Sequence, residues 1–265
     1  MRWVGLIVLL AACADKPKAP PAAPLQKPAP LEPLIAERVR VDAGAEAEAT
    51  YTVKPFTFAG DPPPAAALRV EAAGEGLKVG AEPATLAALE AKLTPRREVL
   101  LSFDSETYLA QVLPLLAVLD DAGAHVWLQS PDVPALAWPV TLRDEADFNA
   151  WLEETAAGKL RVVHRADGFE LQTNLGKLAG GDPKGPTVPT RGGAYDLVTL
   201  QRGLDRVKQR FTEAPDVCFM PSYAMPMHDA TRAIAANWIS AEKVIFAGAC
   251  LVYPRPAADA GAAKR

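Results

Sequence analysis

A methionine-rich segment near the C-terminus is the stretch of the chain whose side chains are most typical of metal ligands. The segment contains Met220, Met225 and Met227, and His228 follows the last of them directly. Three thioethers and an imidazole are soft ligands that suit copper(I). Methionine also fills gaps in apolar cores, and this segment falls between a predicted buried strand and a predicted helix. We therefore prefer core packing as the interpretation and keep copper binding as the alternative.

The sequence contains no residue constellation typical of a nucleophilic or phosphate-handling enzyme. Such catalysis pairs Ser or Cys with a His base and an orienting carboxylate, and the chain has only three histidines, His125, His164 and His228. It has neither a G-x-S-x-G elbow nor a phosphate-cradling glycine loop. The acid pairs Asp120-Asp121 and Glu153-Glu154 lie at predicted helix ends, which is typical of solvated faces. We expect no catalytic residue, no cofactor and no enzymatic activity.

Two cysteines, Cys218 and Cys250, fall in the C-terminal part of the chain. Cys218 is near the start of one predicted strand, and Cys250 lies just beyond the end of the next, at 243–247. In parallel neighbouring strands, a rise of ~3.3 Å per residue would put the two sulfurs at opposite ends of the sheet. A disulfide needs Cα atoms within about 7 Å of each other. The sequence therefore predicts two free, buried thiols.

The third cysteine, Cys13, closes an N-terminal segment with the layout of an export signal. One early positive charge, Arg2, precedes an apolar run and the small residues Ala11 and Ala12. The run is shorter than the ~20 residues that a membrane-spanning helix needs. Leu10-Ala11-Ala12-Cys13 resembles the lipobox of bacterial lipoproteins, in which cleavage leaves the cysteine as the acylated first residue. We predict a signal peptide at 1–12 and lipid on Cys13.

Residues 13–34 are rich in Pro, Ala and Lys, a composition typical of an extended tether. Ala14 follows the cysteine in place of the Asp that retains enteric-type lipoproteins in the inner membrane. We therefore expect a protein that faces the periplasm on a lipid anchor, with the outer membrane favoured. With 28 Lys and Arg against 32 Asp and Glu, the charge gives no reason to expect nucleic acid as a partner.

An internal repeat organises the rest of the chain. Leu68–Val70 aligns with Leu160–Val162 at an offset of 92 residues, and Val99 aligns with Val217 at an offset of 118. The second copy therefore holds 26 additional residues, near 172–197. The registers hold across strand, helix and strand, which favours a duplication over chance similarity.

Each copy has the periodicity of a ββαβαβ unit. The first copy predicts strands at 68–72 and 77–80, a helix at 86–93, a strand at 99–103, a helix at 108–121 and a strand at 125–129. The second predicts strands at 160–165 and 169–173, a helix at 197–211, a strand at 217–220, a helix at 228–240 and a strand at 243–247. Strands linked through a helix should be parallel neighbours. The predicted fold class is α+β, with two tandem ββαβαβ domains whose helices pack on a mixed sheet.

These elements divide the chain into seven predicted segments. They are a signal peptide at 1–12, a lipidated tether at 13–34, extra strands or linker at 35–67, the first domain at 68–131, a linker with a helix at 132–159, the second domain at 160–252 with its insertion near 172–197, and a disordered tail at 253–265.

The first copy resembles the periplasmic domain of ExbD/TolR proteins. The segments Glu98–Val112 and Asp121–Leu128 carry the resemblance: a strand ends in Asp104, Tyr108 opens a helix, and an Ala-Gly turn leads into the last strand. The resemblance implies family-equivalent positions at Asp104 and Tyr108. It is weaker over 160–250, where Ser222 and Pro226 stand at those two positions.

The resemblance implies a domain that binds peptidoglycan, an envelope protein or a second copy of itself through exposed edge strands. Family members also carry a transmembrane helix with a buried acidic residue that takes part in proton-driven work. The N-terminal segment of this chain predicts a lipid anchor in that place. We therefore expect a non-catalytic accessory or tethering lipoprotein of an ExbD/TolR-like envelope system.

Overall fold

The computed structural model describes residues 55–74, 76–154, 158–240 and 242–256. The predicted signal peptide, Cys13, the tether and residues 35–54 lie outside the described residues, as do residues 257–265. No helix in the described ranges is long and apolar enough to cross a membrane.

The described chain contains nineteen helices and strands. The first half contains β1 (Leu68–Ala73), β2 (Gly76–Val79), β3 (Glu82–Ala84), α1 (Leu86–Glu90), β4 (Glu98–Phe103), α2 (Leu109–Asp121) and β5 (His125–Gln129). Between the halves lie β6 (Ala137–Arg143) and α3 (Glu145–Glu153). The second half contains β7 (Leu160–Arg165), β8 (Gly168–Thr173), β9 (Gly176–Lys177), β10 (Val188–Pro189), α4 (Leu197–Arg210), β11 (Asp216–Met220), α5 (Met227–Ala235), β12 (Trp238–Ser240), β13 (Lys243–Val244) and β14 (Gly248–Val252).

One mixed sheet joins both halves, in the strand order β10-β8-β7-β11-β14-β6-β5-β4-β1-β2-β3, with β9 paired to β8. Within the halves, β1, β4 and β5 are parallel neighbours, as are β7, β11 and β14. β6 lies between them, antiparallel to β5 and parallel to β14. The chain is therefore α+β with a large mixed sheet, and the strands of the two halves run in opposite directions on either side of β6.

The alternation of side chains along the strands gives the sheet two differently covered faces. Val217 and Phe219 of β11 belong to a large core that also contains the buried residues of α1, α2, α4 and α5. Cys218, between them, faces the other side, where Phe148 and Trp151 of α3 form a small second cluster. The linking helix thus covers the face opposite the four helices of the repeat.

The end of the second half differs from the sequence prediction. The predicted helix at 228–240 ends at Ala235. The predicted last strand at 243–247 is wrong, because only 243–244 are extended, in the small β12–β13 pair, and the strand that joins the large sheet is Gly248–Val252. The buried side chain of Asn237 causes the difference. Its Nδ2 donates to Phe246 O (2.8 Å), and its Oδ1 accepts from Phe246 N (3.0 Å), so it closes a loop around the β12–β13 pair.

The prediction of two free thiols is wrong for the same reason. Because β14 begins five residues later than the predicted strand, Cys250 lies in mid-strand directly opposite Cys218. Their Cα atoms are 4.5 Å apart, and the two residues form a disulfide that is buried under α3.

The first residues of the predicted disordered tail, 253–265, are packed against the rest of the protein, which corrects that prediction. Tyr253 is fully buried, and its hydroxyl donates to Asp120 Oδ2 (2.7 Å). Arg255 forms ion pairs with Asp121 and Asp144 (2.8 Å each). Burial raises the pKa of both Asp120 and Tyr253. The chain that follows the last strand of the second half is therefore fixed to the end of α2 in the first half.

Removing the disulfide should destabilise the folded part of the chain, which we call the body (residues 55–256). A bridge between residues 32 positions apart restricts the unfolded chain, and the Cys218→Ala/Cys250→Ala variant should lose about 3 kcal/mol of unfolding free energy. Urea unfolding with and without dithiothreitol measures this. The reductant should lower the midpoint of the parent protein and leave the double variant unchanged. An equal response of the two proteins, or two free thiols in the native protein by mass spectrometry, would contradict the disulfide.

Candidate functional site

Two loops that connect a strand to a helix meet where the halves contact each other. We call residues 104–109 and 221–228 together the loop junction. Leu109 N donates to Met225 O (3.3 Å), and Met227 N donates to Thr107 O (2.7 Å). Tyr108 and Pro226 lie opposite each other between these two bonds, in an antiparallel bridge.

The two bonds of the junction are reciprocal. At the repeat offset of 118, Leu109 corresponds to Met227, and Thr107 corresponds to Met225. Each bond is therefore the counterpart of the other, and Tyr108 faces its own equivalent, Pro226. This is the contact pattern of an isologous dimer interface, in which a patch pairs with itself. Here both patches belong to one chain.

Asp104, predicted as a family-equivalent position, shapes the first loop of the junction. Its Oδ1 accepts a hydrogen bond from Glu106 N (3.1 Å) and lies within hydrogen-bond distance of the Thr107 hydroxyl. Thr107 is fully buried, and its Oγ1 accepts from Gly74 N and lies near Ala72 O (3.1 Å each). Asp104 therefore ties the loop to the β1–β2 turn through Thr107.

The structure does not gather the four proposed copper ligands into one cluster. Met225 and Met227 are buried in the large core, whereas Met220 packs against the small cluster on the opposite face of the sheet. His228 Nε2 lies 3.2 Å from Asp229 Oδ1, and its buried Nδ1 has no hydrogen-bond partner in the described part of the chain. In the same part, no group of three or more His, Cys, Asp or Glu residues is arranged to hold a metal ion.

His164 lies at the centre of a polar network beside the second loop. Its Nδ1 is 2.7 Å from Ser222 Oγ, and its Nε2 is 2.7 Å from Tyr195 Oη. Burial lowers the pKa of His164, against the weaker attraction of Asp229, and burial also raises the pKa of Tyr195. A neutral imidazole has one donor and one acceptor nitrogen, so one hydroxyl donates to the ring and the other accepts from it.

This network is better suited to holding elements together than to nucleophilic catalysis. A serine nucleophile needs a histidine that can carry the positive charge left by proton transfer, and burial disfavours that charge at His164. In the described chain no carboxylate lies within hydrogen-bond distance of the ring. The adjoining cavity, lined by Phe169, Phe219 and Met225, measures about 10 Å³ and has room for about one water molecule.

A second polar contact ties the halves together near the junction. Arg232 of α5 donates to both carboxylate oxygens of Asp132, in the loop between β5 and β6 (2.8 and 2.7 Å), and to Asp229 Oδ1 (3.0 Å). The bidentate geometry lowers the pKa of Asp132. Both side chains are about one third exposed, so the pair contributes more to orientation than to stability.

The outer surface of the junction carries two exposed aromatic side chains. Tyr108 is 38% exposed and Tyr223 is 57% exposed. A tyrosine offers a rigid apolar ring and a polar hydroxyl, a combination enriched where proteins bind partners. The junction therefore combines a rigid backbone with exposed recognition groups.

Sequence reasoning gave His164 no role and did not single out Thr107, Ser222 or Tyr195. One signal was present for Ser222, because the repeat offset equates it with Asp104, the residue that shapes the other loop. Tyr195 lies in the segment that has no counterpart in the first copy. Comparing the two copies could therefore not indicate a role for Tyr195, because the first copy has no equivalent residue.

The pKa of His164 predicts a pH dependence of stability. The folded protein binds this proton less readily than the unfolded chain, whose histidines titrate near pH 6.5. The free energy of unfolding should therefore fall as the pH decreases below about 6.5. His164→Gln stays neutral and should show a flatter dependence between about pH 7.5 and 5.5 in urea unfolding. His125→Gln, at an exposed site, is the matched control and should follow the parent. Equal slopes for parent and His164→Gln would contradict the assignment.

Comparison of the chain with family models, with curated proteins and with solved structures finds no match. The function must therefore be argued from the chain itself.

Proposed function

We propose that this chain is a non-catalytic envelope lipoprotein that binds a partner protein or peptidoglycan, as an accessory or tether of an ExbD/TolR-like system. The reciprocal backbone pairing of the loop junction carries the proposal. This pairing relates the two loops as equivalent segments of a two-fold dimer are related, and Tyr108 and Tyr223 are exposed at that contact. Such a surface binds a partner without any chemical step.

The chemistry of the junction supports binding over catalysis. Burial lowers the pKa of His164, the only imidazole in a hydroxyl network of the described chain, and the adjoining cavity has room for about one water. Each loop is also bonded to a hairpin of its own half, the first through Thr107 and Gly74 and the second through Ser222 and His164. A rigid surface loses little conformational entropy when a partner binds.

Two features support the proposed location on the periplasmic side of a membrane. The lipobox-like sequence ending at Cys13 predicts export and acylation, and the Cys218–Cys250 disulfide suits an oxidising compartment. Dual or triple acylation is strong enough to hold a protein at a membrane without a spanning helix. We propose the outer membrane as the site of anchoring.

Cys13→Ser should release the protein from the membrane. The variant cannot be acylated, so cells fed labelled palmitate should incorporate no label into it, and it should move from the membrane fraction to the soluble fraction. Cys218→Ser removes a cysteine of the body and is the matched control that should keep the label. Label retained on Cys13→Ser would contradict lipidation at this residue.

The loop junction should contact the partner directly. A photo-crosslinking amino acid placed at Tyr223 should yield one defined adduct in cells, with peptidoglycan or with one envelope protein. The same amino acid at Leu175, which is 74% exposed in the β8–β9 turn, should not yield that adduct. Purified Cys13→Ser protein should also be tested for sedimentation with isolated sacculi. If position 223 gives no adduct and the sacculi retain no protein, the proposed function is wrong.

A further inference from the structure

Helix α4 carries a row of three exposed arginines, Arg202, Arg206 and Arg210. Residues four positions apart on an α-helix share a face and are separated by about 6 Å along the axis. Arg165, Arg232 and Arg255 all form ion pairs with carboxylates. Within the described ranges, the three arginines of α4 form none. Their charge is therefore available to a ligand, in a chain whose net charge is −4.

The row borders a cleft between α4 and the segment 178–188. Two adjoining cavities of about 270 and 210 Å³ share Leu171, Gly203 and Arg206 in their lining. A Cβ atom on Gly203 would lie 2.7 Å from Leu171 Cδ1, so the glycine allows α4 to approach β8 closely. The floor of the cleft is thus apolar, and its helical rim is positively charged.

The opposite rim of the cleft is uncharged. Gly180, Gly181 and Thr187 line this rim, and the Thr187 hydroxyl is already used, because it donates to Leu178 O (3.0 Å). A Cβ on Gly180 would lie 2.6 Å from Pro186 O, so this tight loop depends on a glycine there. Among the described residues that line the two cavities there is no Asp or Glu. Every charged group facing the cleft therefore favours an anion.

We propose that this cleft binds an extended acidic segment of a partner protein, with carboxylates at alternate positions. Alternate residues of an extended strand are about 6.6 Å apart, close to the spacing of the arginines. Each guanidinium can hold a carboxylate through two parallel hydrogen bonds. The apolar floor, which includes Leu171 and Val188, suits the side chains between the acids and favours a peptide over a bare phosphate chain.

The first half provides an internal comparison. A cleft of about 540 Å³ lies beside β2, β3 and α2, where it is lined by Leu77, Gln111 and other uncharged residues. Its lining contains no Arg, Lys, Asp or Glu among the described residues. The acidic segment should therefore bind the second half alone. The inference rests on the proposed function only in treating the chain as a binding protein.

A labelled peptide of alternating Glu and Ala tests the site by fluorescence anisotropy on the full mature Cys13→Ser protein. Arg202→Glu/Arg206→Glu should weaken binding by about tenfold or more, which corresponds to at least ~1.4 kcal/mol. Arg69→Glu/Arg97→Glu makes the same change in charge at exposed positions of the first half, and it should bind as the parent does. The matched Gln-Ala peptide should not bind. Unchanged thermal unfolding of each variant shows that the fold is intact.

Four results would overturn the assignment: no binding of the Glu-Ala peptide to the parent, equal binding of the Gln-Ala peptide, equal losses in the two double variants, or competition by polyphosphate as strong as that by the acidic peptide. Sacculi sedimentation and crosslinking at position 223 are measured on the same proteins. If those two signals persist in Arg202→Glu/Arg206→Glu while peptide binding is lost, the cleft is a separate site. If they are absent from the parent but peptide binding is present, the proposed function fails and the cleft stands.

Discussion

The pairing of β6 on both of its edges is the constraint on which the rest of the structure depends. β6 forms hydrogen bonds with β5 on one side and β14 on the other, strands that would otherwise be open edges of two small sheets. Its Trp138 is fully buried, contacts Trp238 of the second half at 6.3 Å between ring centroids, and donates to Ala59 O (2.7 Å). A Cβ at Gly60 would lie 2.5 Å from Trp138 Nε1, so the approaching chain needs glycine there. One inserted strand thus gives two units a common core.

That common core explains why the two halves can hold a rigid surface between them. A unit the size of one half buries a smaller fraction of its surface than a domain twice as long. Joining the halves places α2 and α5 against one continuous sheet and brings their first turns together at the loop junction. Arg232–Asp132 and Tyr253–Asp120 then fix the outer parts of the halves to each other. The exposed tyrosines are therefore presented by a backbone that is supported from both sides.

Periodicity and the repeat predicted most elements of the body, because local patterns determine them. The hairpins, α2, α4, β4 and β11 lie within a few residues of their predicted positions. The last strand could not be located in this way. Val244, Ile245 and Phe246 form an apolar run that is typical of a longer strand. In the structure β13 ends at Val244, and the bonds between Asn237 and Phe246 hold the rest of the run in a loop. The disulfide was missed as a consequence, since its prediction depended on the strand register.

The candidate site was less predictable, because its contacts join residues far apart in sequence. His164 and Ser222 are 58 residues apart, and Arg232 and Asp132 are 100 apart. A single sequence carries no pattern that pairs such positions. The offset of 118 did equate Tyr108 with Pro226, and these two residues face each other in the structure. A repeat that folds as a two-fold pair brings equivalent residues together at its axis, so self-comparison of the sequence can indicate an interface.

The two halves differ in the surfaces that they present. The first half keeps a short β2–β3 connection and an uncharged cleft, whereas the second replaces that connection with residues 174–187 and lines its cleft with arginines. An obligate two-fold dimer of identical chains would carry both clefts in the same form. Two halves within one chain are free of that restriction, because the residues of one half can differ from those of the other. If a lipid on Cys13 is the anchor, as proposed, a partner would transmit force to this protein through the surfaces of the two halves. Because the two halves differ, they offer such partners two kinds of surface.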